Sequence, residues 1–320
     1  MRNLSFVHLS HDTLADILRP LYYLYAAIFL YITRIVPYGT NIFTRDWDLL
    51  IVLDACRLDA IEQLADEYDF LDEISSIRSV GSMSGEWMNN TFRTKHTNQI
   101  AGTAMITQNP YTQLALGNGG YTDHIDLPFG PSKYDVVSPD SFAYLEECWR
   151  LDEDSVPEWT IGEGDNEAIS PDLLTDRIIR AAREGRGQKI IAHYMYPHDP
   201  YPNADIDLLN VFESFKRGEI SRETLWNAYI DNLRTVLDSV DLLLSNVDAE
   251  KVVITSDHGE AFGEWGFYKH IIACPIKQVR RVPWVETSAT DSGAYDPIAP
   301  GPDTVANISV DHRLRNLGYL

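Results

Sequence analysis

Residues 252–270 read VVITSDHGEAFGEWGFYKH. Four β-branched residues lead through Ser256 into adjacent Asp257 and His258, and Gly259 follows at once. An apolar run of this kind is a strand buried on both faces, as in a parallel sheet covered by helices. It delivers a carboxylate and an imidazole to one strand tip, with a glycine that lets the chain turn closely behind them. Mixed oxygen and nitrogen donors at such a tip suit one divalent cation.

The same grammar recurs outward from this stretch. Residues 49–54 read LLIVLD and end on Asp54, and residues 189–195 read KIIAHYM and lead through His193 into PHDPY. Helical spacing follows the first strand over 57–68 (RLDAIEQLADEY) and precedes the last over 221–247, with apolar residues at Leu225, Tyr229, Leu233, Val236, Val240 and Leu243. Strand–helix alternation predicts an α/β fold with a mainly parallel central sheet flanked by helices, joined by right-handed crossovers. Ligands collect at the carboxyl ends of such strands, which is where the polar clusters fall. We expect residues 1–46 to hold an apolar helix and linker and 47–287 a catalytic domain, within which the Gly-, Pro- and Asn-rich stretch 103–170 forms an inserted, loop-rich region. Residues 288–320 read as a tail ending in a short helix.

The net charge of -22, from 48 acidic and 26 basic residues spread along the chain, repels nucleic acid and anionic lipid unless basic groups are focused locally, and points to an acidic, halophilic protein. Cys56, Cys148 and Cys274 have no framework spacing, so reduced thiols and a cytoplasmic setting are expected. The apolar run Leu21–Ile32 (LYYLYAAIFLYI) is too short to span a bilayer, which needs about 20 residues. It reads as a buried or half-buried helix, or as a peripheral membrane contact through 21–32, because tyrosines among leucines suit a headgroup boundary.

Asp54, Asp257 and His258 lie at strand tips and form the expected metal-ligand set, with His270 as a further donor. Ser82 and Ser84 in SVGSMSGEWMNNTF (79–92) precede a helix expected to start near Glu86, whose amides would hold an anionic ester oxygen. Either serine, beside a cation, is a candidate nucleophile, and Ser before Glu is equally a capping signature. His193 and His198 are candidates for holding an ester oxygen or protonating a leaving group, with Pro197 and Pro200 expected to carry His198 outward on a loop. Arg57 and Lys269 are cations available to the ester anion.

In this order, Asp54, the serine loop, the HxMxPHxPY segment, SDHGE and His270 resemble the motifs of the alkaline phosphatase and sulfatase superfamily, most closely its archaeal sulfatase-like branch, over Trp47 to Trp284. The resemblance implies Asp54, Asp257 and His258 as metal ligands, a serine as covalent nucleophile, and His193, His198 and His270 at the substrate. It implies a sulfatase-like, metal-dependent hydrolase of phosphate or sulfate esters. The alternatives are a phosphotransferase acting on a lipid or glycan headgroup, and a noncatalytic relative that binds an anionic glycan or a partner. Formylglycine chemistry is not expected, because Cys56 is followed by Arg57, Leu58 and Asp59 rather than Pro-Ser-Arg. The two-metal members carry an Asp four residues before a His, where this chain has Tyr194 before His198, so one cation is expected. Ser84, two residues before Glu86, is favoured over Ser82.

Overall fold

Seven strands pair into one sheet in the order Ile74–Arg78, Arg281–Ala289, Ala249–Thr255, Leu49–Asp54, Lys189–Pro197, Thr103–Thr107 and Tyr144–Glu147. The computed structural model describes residues 11–36, 38–117, 127–131, 133–151, 156–161, 168–204, 211–299 and 310, with side chains from 19 onward. In chain order the helices and strands are α1 (His11–Ile35), β1 (Leu49–Asp54), α2 (Leu58–Gln63), β2 (Ile74–Arg78), α3 (Ser84–Thr91), α4 (Thr97–Ile100), β3 (Thr103–Thr107) and β4 (Tyr144–Glu147). They continue with β5 (Thr160–Ile161), β6 (Ala168–Ile169), α5 (Pro171–Arg183), β7 (Lys189–Pro197), α6 (Val211–Lys216), α7 (Arg222–Leu244), β8 (Ala249–Thr255), β9 (Ala261–Phe262), β10 (Tyr268–Lys269), α8 (Lys277–Arg280) and β11 (Arg281–Ala289).

The sheet is mainly parallel, as the strand–helix alternation predicts. β1 runs parallel to both β7 and β8, and β3 runs parallel to β7 and β4; β11 alone is antiparallel to its neighbours. Alternation along β1 shows why an unbroken apolar run was needed. Leu49, Ile51 and Leu53 enter the core beneath α5 and α7, while Leu50 and Val52 enter the opposite core beneath α1 and α3. Both faces of the strand are buried, so no position along it tolerates a polar side chain until the tip.

The stretch 103–170 contributes β3 and β4 to the sheet itself. TAMIT at β3 is buried throughout, but it is only five residues long and lies among glycine and turn residues that hide it. The helical pattern over 57–68 is interrupted after Gln63 by two 3-10 turns. The tail reading VDHRLRNLGYL, apart from Val310, lies outside the described residues, as does much of LGNGGYTDHIDLPFGP. All three cysteines are buried free thiols.

Candidate active site

Parallel strands end on the same edge, so β1, β7 and β8 bring Asp54, the His198 segment and Asp257 together. A register shift between Leu53 and Asp54 sets Asp54 opposite Pro197. Ala55, just beyond, has φ +61, a left-handed conformation rare for a residue with a Cβ, and its N–H donates to Asp257 Oδ1 at 3.2 Å. After β8, Gly259 lies so close to α8 that an added Cβ would stand 2.1 Å from the Gln278 carbonyl oxygen. The turn that holds His258 therefore requires glycine.

Asp54, Asp257 and His258 are fully buried, and their ligating atoms lie within 4.8 Å of one another. His258 Nε2 is 3.5 Å from Asp54 Oδ1 and 3.3 Å from Asp257 Oδ2. His258 Nδ1 faces the Gly259 carbonyl at 3.0 Å, and because a carbonyl only accepts, Nδ1 carries the proton. Nε2 points toward two carboxylate oxygens, neither of which accepts a hydrogen bond among the described residues. Burial and the neighbouring Asp257 push the Asp54 carboxyl well above its ordinary range. Converging oxygen and nitrogen donors of this kind suit a divalent cation, whose binding would displace the proton that burial favours on Asp54.

The structure separates the two serines. α3 starts at Ser84, two residues earlier than expected, and Ser84 Oγ lies 3.2 Å from Asp54 Oδ2 and 3.3 Å from His258 Nε2. Ser82 faces away from the cluster. Its hydroxyl lies 2.8 Å from Glu86 Oε2 and 2.9 Å from the Ile271 carbonyl, and it accepts from Cys274 N–H at 3.0 Å. Glu86 Oε2 also accepts from the Ser82 amide at 3.1 Å, so the amide and the hydroxyl of Ser82 bond the same carboxylate oxygen; Ser82 does not cap the helix, whose N-cap is Met83 without a side-chain cap.

His193 lies in β7 beside the same cluster, with Nε2 3.9 Å from Asp54 Oδ2 and 4.0 Å from Asp257 Oδ2 and its ring against Trp87. Burial lowers its pKa to about 4, so it is neutral at pH 7.

His198 is buried, not carried outward. Asn232 of α7 donates to the His198 and Pro200 carbonyls at 3.2 and 2.8 Å and folds the proline-rich segment inward. There it meets a second group: ligating atoms of His198, Glu260 and His270 lie within 4.8 Å of one another, all buried. His270, read from sequence as a donor to the first set, belongs to this second one, although its ring packs on His258 with centroids 4.4 Å apart. Its Nδ1 is 3.0 Å from Glu260 Oε2, and burial raises the Glu260 carboxyl to about 7 and lowers His270 well below its ordinary value. Tyr194 turns into the core, where its hydroxyl meets Thr175 at 2.8 Å, and the carboxylate beside His198 is Glu260 of SDHGE.

Arg57 is not available to an ester anion. It is buried, forms ion pairs with Asp59 at 2.6 Å and Glu264 at 2.8 Å, donates to the Glu260 carbonyl, and packs on Trp226 and Phe262. Lys269 pairs with Asp199 at 3.1 Å next to the second group and stays partly exposed. Sequence reasoning missed Asn109, fully buried just past β3, whose Nδ2 donates to Asp54 Oδ2 at 2.6 Å.

The sequence matches no protein-family model and no curated protein. Among solved structures, the chain is similar to the C-terminal periplasmic domain of phosphoethanolamine transferase EptC from Campylobacter jejuni, at 14% identity over 75% of this chain and 78% of that one, with a TM-score of 0.42. It is also similar to the integral membrane lipooligosaccharide phosphoethanolamine transferase A from Neisseria meningitidis, at 15% identity over 97% of this chain and 62% of that one, with a TM-score of 0.47. A third likeness is to a putative sulfatase from Bacteroides thetaiotaomicron, at 12% identity over 84% of this chain and 70% of that one, with a TM-score of 0.32.

Proposed function

We propose that the chain is a metal-dependent enzyme of the alkaline phosphatase and sulfatase superfamily that cleaves phosphate or sulfate esters through a covalent intermediate on Ser84. The observation that carries this reading is the placement of Ser84 Oγ within 3.2–3.3 Å of Asp54 and His258 at the first turn of α3. Asp54, Asp257 and His258 would hold one divalent cation, which when bound supplies positive charge that lowers the serine pKa and neutralises the ester oxygens. Asn109 fixes Asp54 so that one oxygen remains directed at the cluster. The Ser84 hydroxyl, its pKa lowered, gives its proton to solvent; its oxygen forms the bond to phosphorus or sulfur in line with the leaving oxygen, and the bond to that oxygen breaks. His198 and the Glu260–His270 pair flank the cluster and are placed to hold a nonbridging oxygen and move a proton to the departing alcohol. Water then cleaves the serine ester.

Resolution by an alcohol instead of water gives a phosphotransferase acting on a lipid or glycan headgroup. One observation favours that variant: Tyr22 and Tyr25 of the apolar helix α1 donate to the Ile272 and Ala273 carbonyls, on the loop that carries His270. Apolar surface therefore adjoins the site.

The test is turnover of paired aryl phosphate, phosphodiester and sulfate esters with Mn, Mg, Zn or Ca, by the wild type and Asp257→Asn, with and without an alcohol acceptor. Cation-dependent turnover lost in Asp257→Asn supports the reading, and partition of product to the acceptor selects the transferase. No turnover together with no bound cation by elemental analysis would replace it with a noncatalytic protein that binds an anionic glycan or a partner.

A further inference from the structure

α1 is apolar on two faces. Its inner stripe, with Ala26 and Leu30 fully buried, packs on the core. Its outer stripe repeats at helical spacing through Leu21, Leu24, Ile28, Tyr31, Ile32 and Ile35, which are 42–79% exposed. The stripe extends about 21 Å along the helix at 1.5 Å per residue. Val36 at 63% and Phe129 at 43%, whose ring lies 5.9 Å from that of Tyr31, widen it. A contiguous apolar face of this kind marks a contact surface. No helix among the described residues is long and apolar enough to cross a membrane.

Charge identifies what covers the face. The chain carries 48 acidic residues, yet none falls between residues 17 and 45, where the ionised side chains are Arg19, Arg34 and Arg45. Arg19 and Arg34 are exposed and flank the stripe. A second copy would bring two bodies of net charge -22 into contact, which opposes self-association. Lipid phosphates, by contrast, complement arginines at both ends of an apolar stripe, and tyrosine is favoured at the headgroup boundary.

We infer that the outer face of α1 docks in the plane of a phospholipid surface, with the stripe at the acyl boundary and Arg19 and Arg34 on lipid phosphates. This goes beyond the ester chemistry and stands or falls separately from it. Because Tyr22 and Tyr25 grip the loop two and three residues past His270, docking would set the second histidine group close to the lipid surface.

The test is flotation of the full chain at low salt with phosphatidylcholine–phosphatidylglycerol vesicles at about three to one, alongside sedimentation velocity without lipid. The wild type should float. Leu24→Asp with Ile28→Asp should reduce the bound fraction at least about tenfold, since each aspartate must be drawn toward the acyl boundary. Arg19→Glu with Arg34→Glu should weaken binding by about tenfold and flatten its salt dependence. Both pairs are exposed, and unchanged circular dichroism checks that the fold is kept. A wild type that does not float overturns the inference, as does an aspartate variant that floats equally well. A dimer that the aspartate pair converts to monomer, without vesicle binding by the wild type, would give the face to a second copy and overturn it too.

Discussion

Replacing Ser84 and Ser82 by alanine, one at a time, separates chemistry from architecture within two turns of chain. Among the described residues Ser84 Oγ meets Asp54 and His258 and leaves no backbone group unsatisfied when removed; Asp54 keeps its bond from Asn109 at 2.6 Å. Ser84→Ala should therefore change stability by less than about 1 kcal/mol while lowering turnover at least about a thousandfold. Ser82→Ala should do the reverse. The Cys274 N–H at 3.0 Å loses its acceptor and Glu86 loses a hydroxyl donor at 2.8 Å, both buried, a cost of about 2 kcal/mol. At about 2.1 cal/mol/K per residue, the unfolding entropy of 320 residues is roughly 0.7 kcal/mol/K, so Tm should fall by about 3 °C. The assays are differential scanning calorimetry and turnover of the best ester found in the substrate panel, corrected for folded fraction. Loss of turnover in Ser82→Ala with retention in Ser84→Ala would refute the assignment, because only Ser84 meets Asp54 and His258, whereas Ser82 meets Glu86.

Further outcomes follow from the same geometry. Saturating the first cluster with a preferred cation at about a hundred times Kd should stabilise the protein by about 2.7 kcal/mol, or roughly 4 °C, and Asp257→Asn should abolish that shift in thermal melts. Asn109→Ala should leave the cation bound but weaken it about tenfold or more in titration calorimetry, because Asp54 loses the group that orients it. Glu260 has a folded pKa of about 7 against 4.5 unfolded, so the stabilisation from its protonated form is complete below pH 4.5 and lost as pH rises through 7. His193 and His270, held below their ordinary values, act in the opposite direction over the same range, so the expected readout is a difference: in melts of the cation-free protein at several pH values, the wild type should lose stability relative to Glu260→Gln as pH rises from 4.5 through 7. Glu86→Gln leaves buried Arg280 without its charge partner at 2.9 Å and should cost about 3–5 kcal/mol in denaturant unfolding.

The parts of the fold that sequence made legible are those where one face or both must be apolar over many residues. LLIVLD, IAHYM (191–195) and VVIT (252–255) are buried on both sides, and the long pattern of α7 packs its stripe on the sheet. β3 and β4 are short, and YLEE at the sheet edge is half-exposed and polar, so neither has a periodic signature. The site divides along the same line. Asp54, Asp257 and His258 stand at the ends of legible strands, so their convergence follows from topology. Asn109 reads as part of an ordinary turn, and only the placement of β3 beside β7 puts it against Asp54. Prolines around His198 locally favour an extended chain, but Asn232 sits 34 residues away and reverses its direction. Glu260 lies inside the most conspicuous motif, yet its partner His270 is brought to it by the β9–β10 hairpin, a pairing of two residues on each side.

One buried carboxylate ties these parts to one another. Glu86 Oε2 accepts from the Ser82 amide at 3.1 Å and the Ala273 amide at 3.2 Å, while Oε1 stands 2.9 Å from Arg280. Arg280 Nε in turn donates to the Cys274 carbonyl at 2.8 Å, and its guanidinium lies 5.1 Å from the centroid of Phe29 on α1. An apolar replacement of similar volume could match a buried ion pair in stability, so stability alone does not account for the arrangement. What apolar contact cannot supply is direction. The bonds to Glu86 fix the start of α3 two residues from Ser84 and the loop three residues past His270, and Arg280 joins both to α1. The proposed nucleophile, the second histidine group and the exposed apolar stripe are thereby held in one register, so a force applied to α1 reaches the His270 loop through Tyr22, Tyr25 and Arg280 without passing through the sheet.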